Sequence, residues 1–148
     1  MHPQRFPLTQ KARLHDAHGR VLLLRDAATG TWDLPGGRLE PGELPDPRAA
    51  LYRELREEVG EMQVTVDGSP VALFPHAMAD GSEALMLLWC GTVTGTPSLS
   101  PEHDAWCWWT PSEDASPTAP ALRAALGLPS DVAWRYGIAV TLGAIART

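Results

Sequence analysis

Glu54, Glu57 and Glu58 stand within five consecutive residues, behind Arg53 and within about two dozen positions of the glycine pair Gly36-Gly37. Clustered carboxylates suit one kind of chemistry above others, the holding of a hard divalent cation such as Mg²⁺ or Mn²⁺, which prefers oxygen donors. The run 53–60 reads as a helix. At about 100° per residue, Arg53, Glu57, Glu54 and Glu58 fall near roughly 0°, 40°, 100° and 140°. Leu51, Leu55 and Val59 fall near roughly 160°, 200° and 240° on the same wheel. One face can be buried while its neighbour gathers like charges. Those charges repel and destabilise an isolated helix, and a bound cation would remove that penalty.

The helix has clear ends. Asp46 reads as its N-cap, Pro47 as its first residue and Gly60 as its terminator. Ahead of it, Trp32 to Leu34 lead into a glycine loop, and Glu43 adds a fourth acid between loop and helix.

These residues resemble the Nudix hydrolase box. That box spaces a glycine five residues before a glutamate, then after seven more gives Arg-Glu-aliphatic-any-Glu-Glu-any-Gly-aliphatic. Gly37 and Glu43 match, as do Arg53, Glu54, Leu55, Glu57, Glu58 and Gly60. Trp32-Asp33-Leu34-Pro35-Gly36-Gly37 resembles its usual entry. The pattern departs twice. Nine residues rather than seven separate Glu43 from Arg53, an insertion around 44–47, and Glu61 stands where an aliphatic residue is expected, with Met62 next in line. Because the insertion precedes the cap at Asp46, it leaves the helix in register and bears only on whether Glu43 reaches Arg53.

The resemblance implies metal-dependent hydrolysis of a pyrophosphate bond in a nucleoside diphosphate linked to another moiety. Metal ions can neutralise the anionic oxygens, orient the water and lower its pKa. Matched position by position, Glu57 and Glu58 resemble the principal metal ligands, and Glu54 a ligand or the group that orients the nucleophile. The backbone of Gly36 resembles a further oxygen donor, and Arg53 with Glu43 the pair that braces loop against helix. One more acid often lies outside the box; Glu102, ahead of a tryptophan-rich strand, is the candidate, and Glu83 a second. The catalytic set is therefore Glu54, Glu57, Arg53 and Glu43, and the metal set Gly36, Glu54, Glu57, Glu58 and Glu102, with the base either Glu54 or Glu102.

Two other readings compete: a catalytically silent ligand-binding or regulatory module on the same fold, and an isoprenoid-diphosphate isomerase. The clustered glutamates argue against the first. No cysteine-plus-acid constellation near the box supports the second.

Other residues read more blandly. His15, His18 and His76 lack paired metal spacing and read as surface or core residues; His103, beside Glu102, could titrate near neutrality but reads as a surface histidine. Glu40 reads as solvated charge, and Trp32, Phe74, Trp89 and Trp106 as core before base-stacking. Cys90 and Cys107 are too few for a disulfide framework or zinc site and read as small core hydrophobes.

Strands are expected at 11–15, 21–24, 63–66, 71–74, 83–93 and 105–110, and helices at 47–59, 120–126 and 131–147. Irregular alternation gives an α/β domain with a mixed sheet; the resemblance narrows this to an α/β/α sandwich with a loop-helix-loop motif. The 148 residues are read as one domain, with the box at about 37–61 and a helical segment at about 120–147. A net charge of -6 and a pI near 5.2 disfavour nucleic acid or an anionic membrane as the main partner. A small nucleotide-type substrate remains compatible, because bound cations reverse the local field. No targeting or membrane-length apolar segment is evident, so a cytoplasmic monomer or homodimer is expected.

Overall fold

The computed structural model of the chain describes residues 2–77 and 80–110, together with Leu126. The expected helices at 120–126 and 131–147 lie outside the described residues, Leu126 apart. Eight strands and one helix follow in order. They are β1 (Leu8–His15), β2 (Val21–Asp26), β3 (Trp32–Asp33), β4 (Gly36–Arg38), α1 (Pro47–Val59), β5 (Gln63–Val66), β6 (Ala72–Ala77), β7 (Glu83–Thr94) and β8 (His103–Trp109). The expected bounds of α1 and β5 coincide with those observed; β1, β2 and β6 run longer, because sheet pairing carries them past their apolar cores.

β1 and β7 form the spine, paired in parallel from Leu8↔Leu85 to His15↔Thr92. β6 and β5 share the other edge of β7, both antiparallel. β4 lies on the other edge of β1, with Lys11 opposite Gly36. β2 leaves β1 at His15↔Val21 and carries β3 and β8 on its two edges, giving a mixed sheet.

Alternation along β1 and β2 separates two cores, as a period of two requires. Ala12, Leu14, Leu22 and Leu24 join Leu51, Leu55 and Val59 of α1 with Trp89 and Val93. Val21, Leu23, Leu34, Phe74, Met86, Leu88 and Trp109 form the second core. Met62 is buried in the first core, supplying the apolar contact that Glu61, exposed, cannot.

Helix α1 starts as its residues dictate: the Asp46 side chain accepts from Ala49 N at 3.0 Å, and Pro47 follows. Its far end is satisfied by a crossing loop. Ser98 N donates to Val59 O at 3.1 Å and Ser100 N to Glu58 O at 3.4 Å, so orphan carbonyls are paired by the segment that leads into β8. The other end is tied to the spine by Gln10, which is buried, donates to Pro47 O at 2.8 Å and accepts from Trp89 Nε1 at 3.0 Å.

Leu55, 1% exposed, is the centre of the helix–sheet contact. Leu55→Ala should cost about 2–5 kcal/mol, the range for emptying such a site. Urea unfolding would show it as a lowered midpoint with little change in slope; an unchanged midpoint would mean that α1 is not packed as described.

Candidate active site

Two glycines let the loop after β3 close on the helix. Gly36 has φ +144°, and a Cβ there would lie 2.0 Å from Gln10 O; a Cβ on Gly37 would lie 2.3 Å from Glu54 Oε2. At Gly36 the obstacle is the β1 backbone, so no side chain fits there; at Gly37 a side chain would displace the Glu54 carboxylate. Gly36 N donates to Glu58 Oε2 at 2.9 Å, a buried bond across 22 positions of sequence.

Glu58 is 6% exposed. Burial pushes its carboxyl up to about 7, against the opposing pull of Lys11 and the Gly36 N–H; the charges of Glu54 and Glu102 add to the rise. Burial also raises Glu54, with Arg53 opposing. Lys11 was not anticipated from sequence. Its Nζ lies 3.2 Å from Asp33 Oδ2 and 3.2 Å from Leu34 O, with the side chain 14% exposed. Burial alone would lower Lys11, but the charges of Asp33, Glu58 and Glu54 outweigh it and hold the ammonium protonated. In sequence it was one more polar residue of an alternating strand; only the return of the glycine loop alongside β1 gives it acidic neighbours.

Arg53 organises the outer end of the acidic face. Its Nε and Nη2 meet Glu43 at 2.9 and 2.8 Å, Nη2 also meets Glu54 at 3.0 Å, and Nη1 meets Glu57 at 3.2 Å. The Arg53 hydrogen bonds hold Glu43 below the usual carboxylate range, helped by the Glu40 N–H. The inserted residues are extruded: Leu44 is 67% exposed and Pro45 exposed, while Asp46 N closes a turn onto Glu43 O at 3.1 Å. Glu43 therefore reaches Arg53 despite the two extra residues.

Glu102 and His103 arrive from the loop that caps α1. His103 N donates to Ser100 O at 3.1 Å, and Ala27 N to Glu102 O at 2.9 Å. One donor atom each from Glu58, Glu102 and His103 lie within 4.8 Å of one another. His103 is half-buried, and its Nδ1 is buried with no hydrogen-bond partner. The surface reading of this residue is thus corrected: the cap of α1 folds the residues ahead of β8 inward. Burial lowers its pKa, with Lys11 adding to the effect and Glu102, Asp26 and Asp33 opposing it.

The helix thus sends its expected ligands in two directions. Glu58 joins Glu102, whereas Glu57, with its side chain 59% exposed, faces Arg53. Gly36 meets Glu58 through its N–H. Glu83 and Glu40 are exposed, as is His18, and His15 is half-buried. Phe74 and Trp89 are core, Trp32 and Trp106 half-buried. Cys90 and Cys107 form no disulfide and are half-buried rather than fully in the core; Arg13 Nη2 lies 3.2 Å from Cys90 Sγ.

A raised carboxyl has a stability cost of known sign. Between about pH 4.5 and about 7, the folded chain holds a proton on Glu58 that the unfolded chain releases, so stability falls as pH rises through that window. The shift amounts to about 3 kcal/mol. In EDTA at pH 8, Glu58→Gln should therefore melt higher than the parent chain, with the gain gone near pH 4.5. A lower melting temperature at pH 8 would contradict the burial argument.

The family model described as NUDIX domain matches residues 7–126. A MutT-like protein of Streptomyces ambofaciens is 39% identical over 95 residues, covering 64% of this chain and 58% of that protein. The match thus spans less than two thirds of that relative's length. An RNA pyrophosphohydrolase of Gluconacetobacter diazotrophicus is 30% identical over 123 residues, covering 66% of this chain and 72% of its own. The crystal structure of a MutT NUDIX hydrolase from Burkholderia pseudomallei superposes with a TM-score of 0.69 at 24% identity. It covers 86% of this chain and 100% of that one, a likeness of fold.

Proposed function

The chain belongs to the NUDIX family, and from that premise we propose that it hydrolyses a pyrophosphate link in a nucleoside diphosphate derivative, using Mg²⁺ or Mn²⁺. The observation that carries the reading is the convergence of Glu58 and Glu102 beside the Gly36–Gly37 turn. Two carboxylates are expensive to hold together without a counter-charge. Their donors are oxygens, as a hard cation requires; a ring nitrogen of His103 lies within 4.8 Å of both, and its Nδ1 is buried with no hydrogen-bond partner. The residues present therefore fit a divalent cation, with Glu58 and Glu102 holding it, and Glu54, Glu57 and the Gly36 backbone as the remaining donors of the proposed set. The cation supplies charge neutralisation of the phosphate oxygens and acidifies water.

The chain's own groups do the rest. Arg53 fixes the Glu54 carboxylate through Oε1, and burial raises its affinity for a proton. Glu54 can thus accept the proton of the attacking water, with Glu102 as the second candidate base. Glu43 and Arg53 hold the glycine loop against α1, keeping the Gly36 N–H on Glu58. Lys11 offsets part of the acidic field from the β1 side. A silent binding module would be favoured by a broken Glu43–Arg53 contact; the 2.8 Å distance supports the enzyme instead.

The substrate class spans nucleoside triphosphates, ordinary or damaged, nucleotide sugars, ADP-ribose and dinucleoside polyphosphates, with a small molecule rather than nucleic acid as partner. We also propose a cytoplasmic monomer or homodimer. Among the described residues, no helix is long and apolar enough to cross a membrane.

A panel of these compounds with Mg²⁺ or Mn²⁺ tests the activity. Products should be a nucleotide plus pyrophosphate or a phosphomonoester, told apart by phosphate release with and without inorganic pyrophosphatase. EDTA should abolish turnover and added Mg²⁺ restore it; full turnover in EDTA would sink the reading.

Glu57→Gln keeps shape and removes one charge. It should lower kcat by about 100-fold or more, the usual loss for a charge-stabilising group. Unaltered kcat at saturating metal would remove Glu57 from the site and leave it as a partner of Arg53 alone.

A further inference from the structure

We propose that His103 gives the Glu58–Glu102 cation site a nitrogen donor, so that the site selects transition-series divalent cations such as Co²⁺ over Mg²⁺. The inference deepens the reading of these carboxylates as a cation site and rests on it. It starts from position. A donor atom of His103 lies within 4.8 Å of a carboxylate oxygen of each glutamate. Donors sharing one cation at about 2.1 Å each stand roughly 3–4 Å apart, so a small contraction around an ion closes the set.

The backbone leaves His103 little freedom to be elsewhere. Its own N–H is bonded to Ser100 O, the carbonyl of Glu102 is bonded to Ala27 N, and the Ser98 and Ser100 N–H groups tie the same loop to the end of α1. Glu58 is fixed from the opposite side by Gly36 N. The three donors thus stand on two segments, α1 and the stretch that enters β8, each fixed by main-chain hydrogen bonds.

The second observation is the ring itself. Its Nδ1 is buried and has no hydrogen-bond partner, a rare condition for a polar atom in a folded chain. His103 opens β8 between the exposed Glu102 and Asp104, so the strand's alternation turns its ring away from the side that they face. Held instead among carboxylates, the imidazole offers a lone pair. Nitrogen donors raise affinity along the series from Mn²⁺ to Co²⁺ and Zn²⁺ but add little for Mg²⁺, which keeps oxygen and water.

The test uses the full chain, its His103→Gln variant and Glu58→Gln, with Co²⁺ as probe. Co²⁺ affinity is read from visible absorption, and Mg²⁺ affinity from competition against Co²⁺. The parent chain should bind Co²⁺ at least about 100-fold more tightly than Mg²⁺. His103→Gln should lose about tenfold or more for Co²⁺ and less than about threefold for Mg²⁺. Proton NMR of the Co²⁺-loaded parent should show a far-shifted exchangeable imidazole N–H, absent from His103→Gln. Equal losses for both ions, or no shifted imidazole proton in the parent, would overturn the proposal. If Glu58→Gln also binds Co²⁺ as the parent does, the failure belongs to the cation-site reading itself. Should His103→Gln fold poorly by circular dichroism, the NMR signature of the parent alone decides.

Discussion

The bond from Gly36 N to a buried oxygen of Glu58 is the constraint on which this site is built. It requires the strand that carries it to lie so close to β1 that a Cβ on Gly36 would meet Gln10 O, while the next glycine leaves room for the Glu54 carboxylate. It also requires the helix to present an acid on its buried side, where Leu51, Leu55 and Val59 would otherwise continue an apolar stripe. An isolated carboxylate there costs several kcal/mol, and one backbone N–H with a neighbouring ammonium offsets only part of that. The fold tolerates the remainder because two extensive apolar cores flank the spine formed by β1 and β7. Strain of this kind, kept at one place and compensated elsewhere, is what a functional site looks like in a chain that is otherwise locally consistent.

Charge around the helix is distributed unevenly, and the unevenness locates the chemistry. Arg53 touches Glu43, Glu54 and Glu57, so the outer end of the acidic face carries its own cation. Lys11 stands on the inner side, but its Nζ is bonded to Asp33 and to the Leu34 carbonyl. What lies between, Glu58 with Glu102, has no direct guanidinium or ammonium contact among the described residues. The lack of a direct positive contact therefore falls on Glu58 and Glu102. A cation placed there would supply to this pair the direct counter-charge that Arg53 gives to the acids at the outer end.

Much of this was legible in the sequence because it is local. Asp46, Pro47 and Gly60 mark the ends of α1 by their own backbone chemistry, and the spacing of Arg53, Glu54, Glu57 and Glu58 sets their directions before any tertiary contact forms. The insertion could be placed outside the helix for the same reason, and Leu44 and Pro45 indeed lie in an exposed turn. What the sequence hid is long-range. Lys11 acquires its acidic neighbours only when the glycine loop returns beside β1, and His103 turns inward only because the preceding loop caps a helix some forty residues earlier. A strand pattern shows that Lys11 alternates with Ala12 and leaves open what it faces. Glu57 shows the same limit: neighbouring positions on a helix diverge by about 100°, so its carboxylate meets Arg53 while that of Glu58 meets Gly36 N.

The segments that meet at the site are held by backbone bonds more than by the charges they carry. Ala12 N is bonded to Pro35 O, which sets the glycine loop against β1 without either Lys11 or Glu58. Gln10 ties β1 to the first turn of α1, and Ser98 and Ser100 tie the last turn to the approach to β8. Ala27 N then fixes Glu102 from the β2 side. Such a scaffold allows a carboxylate to be neutralised without loss of its position, because no strand pairing or helix cap depends on it. The consequence is a separation of tasks: packing and main-chain hydrogen bonds set where the acids stand, and their mutual repulsion, unrelieved by that scaffold, is left as the free energy available for binding a cation and, through it, a pyrophosphate.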